Sequence, residues 1–257
     1  MQALHTIELG DGPGVPIVFS HALGLDHRMW LSTAESLRGR HPVLAYDHRG
    51  HGASPKVLSP WTMTEVADDA AAVIKAWGRG PVLFVGLSMG GMAGQGIALR
   101  RPELLRGLFL AHTAGRYSDA AKAGWQQRVE TVAAQGLSAV VETVLQRYLT
   151  ESVRNAQPAL VQAMRQTLLA NDAPSYIASC QAVAGVDWLD QLHGVTCPTA
   201  VLAGAFDGGA TPAMAAEIQQ RIAGATLEIL PAASPLGPIE EPEAFRAALG
   251  GFIARVS

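Results

Sequence analysis

The sequence is poor in cysteine, in charge and in long apolar segments, and each scarcity excludes a class of protein. Two cysteines, Cys180 and Cys197, are too few for a disulfide framework and lie in no cluster with metal-ligand spacing. Charged residues are 16% of 257 positions and the net charge is -3, which favours neither nucleic acid nor an anionic membrane as a partner. No apolar run approaches the ~20 residues that span a bilayer. We therefore expect a cytoplasmic protein, and nothing in the sequence indicates its oligomeric state.

Short apolar runs alternate with amphipathic stretches, which predicts an α/β fold with a mostly parallel, twisted sheet and helices on both faces. The expected strands are at 5–9, 15–20, 43–46, 82–85, 107–110, 200–203 and 226–230. The expected core helices are at 64–77, 89–100, 212–222 and 242–254. The alternation stops between Arg116 and Val186, where the pattern is helical, for instance at 121–135, 137–149 and 159–170. Because this insertion follows a strand, we expect a helical cap at 116–186 above a core of 1–115 and 187–257.

The clearest chemical feature is the segment 86–90, which contains Gly-Leu-Ser-Met-Gly. An apolar run precedes it and a helix-like run follows, which is the strand, sharp turn and helix context of a nucleophile elbow. The two glycines suit a turn too tight for a Cβ on either side of Ser88. We therefore expect Ser88 to be a nucleophile. One oxyanion donor should be the backbone N–H of Met89, and the second the N–H of Leu23, in the loop after the second strand.

Further segments match one family in chain order. They are Ser-His-Ala-Leu-Gly at 20–24, Asp-His-Arg-Gly-His-Gly-Ala-Ser at 47–54, Gly-Ala-Phe-Asp at 204–207, Thr-Pro at 211–212 and Ile-Glu-Glu-Pro-Glu-Ala-Phe at 239–245. Together with the Ser88 segment they resemble the α/β-hydrolases, and most of all the 3-oxoadipate enol-lactonase branch, which opens an enol-lactone in bacterial aromatic catabolism. The resemblance implies an α/β-hydrolase fold with a cap, and a mechanism that needs no cofactor and no metal. It also implies that Asp207 is the acid of a catalytic triad.

The histidine of that triad is missing. All eight histidines lie at or before His193, whereas the family carries its histidine in the loop after the last strand. Counting back from Ile239 without gaps places Pro235 at that position. Proline can neither accept nor donate a side-chain proton, so the expected mechanism lacks its usual base.

Five other residues are candidates for a substrate pocket. His112 follows the fifth strand and His21 lies in the oxyanion loop, and a structural role is the favoured interpretation for both. Arg116 is a candidate anchor for a substrate carboxylate, because a guanidinium matches a carboxylate at two points, and a solvated arginine is the alternative. Trp125 and Tyr148 suit either a pocket wall or packing of the cap onto the core. The remaining histidines are expected in structural positions (His48, His51), at the opposite edge of the sheet (His193) or at the surface (His5, His27, His41).

Three functions remain compatible with this sequence. The first is a serine hydrolase of a small carboxylic ester or lactone, one carrying a carboxylate if Arg116 is an anchor, with activity low or altered because the base is absent. The second is a lyase or isomerase that uses the same pocket without acyl transfer, and the third is a catalytically silent protein that binds a ligand. A single base change also converts a histidine codon into a proline codon, so Pro235 could be a replacement. We favour the first function because the elbow, oxyanion loop, acid and cap all remain.

Overall fold

The computed structural model describes residues 3–56 and 60–257, and this part of the chain contains the predicted sheet. Seven strands form it in the order β1-β3-β2-β4-β5-β6-β7, with only β1 antiparallel to its neighbour. The strands are β1 (Thr6–Asp11), β2 (Ile17–Ser20), β3 (Pro42–Tyr46), β4 (Val82–Leu87), β5 (Leu105–Ala111), β6 (Thr199–Gly204) and β7 (Thr226–Leu230). The predicted fold class is therefore confirmed, and each predicted strand overlaps an observed one.

The central strands are apolar along their whole length because helices cover both faces of the sheet. Every residue of β2, β3, β4 and β6 is buried, as expected for parallel strands packed on two sides. The helices are α1 (Leu31–Glu35), α2 (Met63–Trp77), α3 (Met89–Arg100), α4 (Asp119–Gln135), α5 (Val141–Tyr148), α6 (Glu151–Ala156), α7 (Pro158–Leu169), α8 (Ala173–Ala184), α9 (Pro212–Arg221), α10 (Gly237–Glu240) and α11 (Pro242–Val256).

The segment between β5 and β6 is helical and contains α4 to α8. The sequence pattern predicted a helical segment with three stretches as examples, and it gave no bounds for α6 and α8. The stretch expected as one helix at 137–149 is a 3-10 turn followed by α5. At the base of this segment Arg116 pairs with Asp187 as an isolated β-bridge, and the Trp188 N–H donates to the Gly115 carbonyl. The division into a core and a cap at 116–186 stays a prediction.

None of the helices in the described part of the chain is both long enough and apolar enough to cross a lipid bilayer.

Candidate active site

Ser88 lies in a sharp turn between β4 and α3. Its backbone has φ 54° and ψ -113°, a conformation that residues other than glycine rarely adopt and that costs about 1–3 kcal/mol. A Cβ on Gly86 would collide with the carbonyl of Gly90, and one on Gly90 would collide with the carbonyl of Ser20. The glycines are therefore sterically required. Ser88 itself is partly exposed, and its hydroxyl makes no hydrogen bond to the residues that the structure describes.

The two expected oxyanion donors are backbone N–H groups of buried residues. Within the described chain, neither the N–H of Leu23 nor that of Met89 donates a hydrogen bond, so both remain available to a ligand. Met89 is the first residue of α3, where the positive end of the helix dipole favours a developing negative charge. The Leu23 peptide is fixed from its other side, because the hydroxyl of Tyr148 donates to the Leu23 carbonyl at 2.7 Å. These contacts support an oxyanion hole.

Three buried histidines hold the loop that carries Leu23. The His48 N–H donates to Nε2 of His21 at 2.8 Å, and the Gly24 N–H donates to Nε2 of His51 at 3.0 Å. Both acceptor rings must therefore be neutral and carry their proton on Nδ1, which donates to the carbonyls of Ala22 and Arg49 respectively. Burial lowers the pKa of all three rings, and that of His51 to about 3. These contacts indicate that His21 shapes the oxyanion loop, the role favoured from the sequence.

Asp207 follows β6 and is buried. Its Oδ1 accepts the N–H groups of Gly209 at 2.8 Å and Ala210 at 2.9 Å, which fixes the carboxylate in a tight turn. Its Oδ2 is buried without a hydrogen-bond partner and lies 3.6 Å from Nδ1 of His112. This separation is too long for a hydrogen bond, but no other imidazole of the described chain lies this close to Asp207.

His112 comes directly after β5, with a backbone φ of 47°. Its ring is buried, and neither nitrogen has a hydrogen-bond partner among the described residues. Pro235 is buried in the loop after β7, where the family histidine is expected. Two residues further on, a Cβ on Gly237 would collide with Nε2 of His112, so the loop that lacks a histidine packs directly against this imidazole.

The structure does not favour Arg116 as a substrate anchor. Its guanidinium donates to Asp187 at 2.5 Å and to Asp190 at 2.6 Å, so its charge is already balanced at the base of the helical segment. Tyr148, as described, holds the oxyanion loop. Trp125 is half-buried and stacks edge-on against Tyr117, with ring centroids 5.9 Å apart.

Arg128 is a candidate that the sequence reasoning missed. Its side chain is buried in α4, 4.6 Å over the Trp125 ring, and its Nη1 has no hydrogen-bond partner in the described chain. No carboxylate of that chain forms an ion pair with it, and its charge acts on the neighbouring rings of Tyr148 and Tyr176. The spacing of Trp125 and Arg128 on one helix, next to buried Val129, was the available signal.

Among residues 3–56 and 60–257, one group of side chains has donor atoms close enough for a metal ion. The atoms of His5, His27 and Asp47 lie within 4.8 Å of one another. The Asp47 carboxylate already accepts from Nδ1 of both rings, at 3.0 and 2.8 Å, and from the N–H groups of His27 and Ala53. Its oxygens are satisfied without an ion, so we interpret the group as a hydrogen-bonded anchor of the N-terminal strand. His27, expected at the surface, is partly buried, with 15% of its side chain exposed.

Comparison with known proteins extends this picture over nearly the whole chain. A family model described as alpha/beta hydrolase fold matches residues 15–242. The chain is 31% identical over 253 residues to 3-oxoadipate enol-lactonase 2 of Acinetobacter baylyi, covering 98% of this chain and 94% of that protein. The solved enol-lactonase of Burkholderia xenovorans LB400 has a TM-score of 0.93 at 30% identity, over 98% and 96% of the two chains. A thermophilic esterase of Thermogutta terrifontis, solved with malate bound, has a TM-score of 0.89 at 30% identity, over 98% and 93%.

Proposed function

The chain belongs to the α/β-hydrolase fold family, and we propose that it hydrolyses a small carboxylic ester or lactone with Ser88 as the nucleophile. The observation that carries the proposal is the strained elbow: Ser88 has a positive φ and is partly exposed, and the N–H groups of Leu23 and Met89 donate to no residue of the described chain. Backbone strain of this kind persists where the surrounding structure enforces it, and it clusters at active sites. The enol-lactonase and esterase relatives support the substrate class.

Because Pro235 occupies the position of the family base, activity is expected to be low or altered to the extent that no other group takes the proton of Ser88. Loss of a triad histidine typically lowers turnover about 10⁶-fold, whereas an oxyanion hole and substrate binding alone keep roughly 10³–10⁴ over water. An ester or lactone with a good leaving group can react under these conditions. An amide, with its much poorer leaving group, is not expected to.

The first test is Ser88→Ala against a matched serine variant. Ser179→Ala is the control, because its buried hydroxyl has no hydrogen-bond partner in the described chain and its removal should be benign. We expect the parent and the control to hydrolyse p-nitrophenyl acetate and to label with a fluorophosphonate, and Ser88→Ala to do neither above background. Equal hydrolysis by parent and Ser88→Ala would overturn the proposal.

Arg128 supports a substrate that carries a carboxylate. A buried guanidinium without an anionic partner is costly, and a substrate carboxylate would balance it through charge-assisted hydrogen bonds. That a related esterase binds malate, a dicarboxylate, agrees with this assignment. On the same grounds, 3-oxoadipate enol-lactone is the first lactone to assay.

Arg116→Gln is the natural control for Arg128→Gln, since Arg116 is already paired with two aspartates. For monomethyl glutarate, we expect Arg128→Gln to raise KM about tenfold or more, from a charged hydrogen bond of about 1.5–3 kcal/mol. For uncharged methyl butyrate its KM should stay within about twofold of the parent, and Arg116→Gln should leave both KM values unchanged. If only Arg116→Gln raised the KM for monomethyl glutarate, the substrate anchor would be Arg116, as the sequence suggested, and not Arg128.

A second candidate is a lyase or isomerase, or a silent ligand-binding protein, on the same scaffold. The observation in its favour is that the Ser88 hydroxyl has no hydrogen-bonded base in the described chain. Conversion of a carbonyl compound without labelling of Ser88 would favour the enzyme, and binding without conversion would favour the silent protein. The cytoplasmic location expected from the sequence also stays a prediction.

A further inference from the structure

We propose that His112, which lies beside Asp207, is the general base of this site and takes the role of the histidine that the family carries at the position of Pro235. The proposal rests on Ser88 being the nucleophile. It assigns to the end of β5 a group that α/β-hydrolases carry in the loop after the last strand.

The strand order supplies the first argument. In the sheet, β5 lies between β4, which leads into Ser88, and β6, which leads to Asp207. Neighbouring parallel strands lie about 4.8 Å apart, so the end of β5 lies between the strand ends that lead to the nucleophile and to the acid. The backbone around it is tied to both sides. The Ser88 N–H donates to the Ala111 carbonyl at 2.9 Å, and the His112 N–H donates to the Leu202 carbonyl of β6 at 2.7 Å.

The second argument is the set of polar atoms left without partners. Both ring nitrogens of His112 and Oδ2 of Asp207 are buried and make no hydrogen bond within the described chain. Each such atom costs about 1–3 kcal/mol, which a purely structural site would avoid. Closing the 3.6 Å gap between Nδ1 and Oδ2 by less than 1 Å would satisfy two of the three. The third, Nε2, is the nitrogen to which the proposal assigns the proton of Ser88.

The third argument is the fit of the loop after β7. Pro235 removes the imidazole that the loop would bring to Asp207, and Gly237 leaves the space that Nε2 of His112 occupies. His112 also holds a left-handed backbone conformation, which is uncommon for a residue other than glycine. The loop after β7 and the end of β5 together therefore leave room for one imidazole, that of His112.

The reaction balances with this pair. As Oγ of Ser88 attacks the carbonyl carbon, its proton moves to Nε2 of His112, and the carbonyl oxygen becomes an oxyanion held by the N–H groups of Leu23 and Met89. When the C–O bond to the leaving group breaks, the leaving oxygen takes that proton from Nε2. Water then attacks the acyl-enzyme and gives a proton to Nε2, which returns it to Oγ as the acid is released. The Asp207 carboxylate stabilises each imidazolium. Hydrogen bonds between such groups are often long before substrate binds and tighten in the complex.

The test uses variants suited to the backbone at position 112. Asparagine and glycine both tolerate a positive φ, so His112→Asn and His112→Gly should fold, as circular dichroism will verify. We expect kcat for p-nitrophenyl acetate to fall at least about 100-fold in both, toward the Ser88→Ala background. Added imidazole should restore activity to His112→Gly, whose cavity admits it, and not to Ser88→Ala. The exposed His193→Asn is the control and should match the parent.

Pro235→His provides an independent measurement in a background where His112 is intact. Because Asp207 already has an imidazole, we expect kcat to change less than tenfold. A hundredfold gain would overturn the proposal, since it would mean that the site lacked a base. A His112→Asn variant within threefold of the parent would overturn it as well, while loss of activity in Ser88→Ala alone would leave the proposed function standing. Activity unaffected by Ser88→Ala would instead remove the proposed function itself.

Discussion

Acidification below pH 6.5 should destabilise this protein steeply, because three histidines are buried as neutral rings beside the active site. Burial lowers the pKa of His21, His48 and His51 from the ordinary value of 6.5. Nearby Asp26 and Asp47 raise the pKa of His21, but desolvation outweighs them. Between the folded and the unfolded pKa values the unfolded chain binds more protons, so stability is full above about pH 6.5 and declines as the pH falls.

The size of the effect follows from the number of protons. Each histidine that stays neutral in the folded state contributes at most about 1.4 kcal/mol per pH unit. The pKa of His51 is about 3, so this ring stays neutral at pH 5.5, and burial lowers the pKa of His48 in the same direction. Between pH 7.5 and 5.5 His51 alone should lower the free energy of unfolding by roughly 1 kcal/mol or a little more, and His48 and His21 should add to this.

Urea unfolding at pH 7.5, 6.5 and 5.5 measures this directly. His51→Gln is the informative variant, since an amide can accept from the Gly24 N–H and donate to the Arg49 carbonyl as the ring does. This variant should lower the slope of the unfolding free energy against pH by the equivalent of about one proton. The exposed His193→Asn should leave that slope unchanged. A loss of less than about 1 kcal/mol between pH 7.5 and 5.5 in the parent would contradict the reasoning, since it would mean that the rings are protonated in the folded state.

Three further substitutions test the contacts around the site. Tyr148→Phe removes the hydrogen bond to the Leu23 carbonyl, which is worth about 1 kcal/mol, and should lower kcat several-fold with little change in Tm. An unchanged kcat would mean that this contact between the helical segment and the oxyanion loop does not affect catalysis. Gly237→Ala places a methyl group against Nε2 of His112 and should lower Tm, and an unaltered Tm would mean that the ring moves freely. Asp47→Asn leaves donors facing an amide and should cost about 2–3 kcal/mol in chemical denaturation, while full stability would contradict its role as an anchor.

The fold was predictable because its signals are local. The central strands are continuous apolar runs, and the elbow is a contiguous motif whose glycines face steric clashes within a few residues. The boundaries inside the helical segment were harder. Gly136, at φ 77°, ends α4, and Asp172 caps the start of α8. Polar and apolar residues alternate irregularly around both positions, so neither boundary stands out in the sequence.

The charges of the helical segment show why the site was only partly predictable. Arg116 and Arg128 look alike in a sequence. Which one is free depends on aspartates some 70 residues away that approach Arg116, and on the burial of Arg128 against Trp125. Ion pairing between distant segments depends on the tertiary fold, so the spacing of residues along the sequence does not predict it.

The same limit explains why the sequence shows that a histidine is missing but does not single out the residue that we propose in its place. The position of Pro235 is read by counting from a neighbouring motif, but His112 and Asp207 are 95 residues apart and meet only because β5 and β6 are adjacent in the sheet. In this sheet order the end of β5 is the one strand end flanked by both the nucleophile strand and the acid strand. A base lost from the loop after β7 can therefore be replaced from β5 without moving Ser88 or Asp207, whereas the ends of the other strands lie outside that pair. If hydrolysis survives with proline at position 235, the physical requirement for a base between those two residues points to His112.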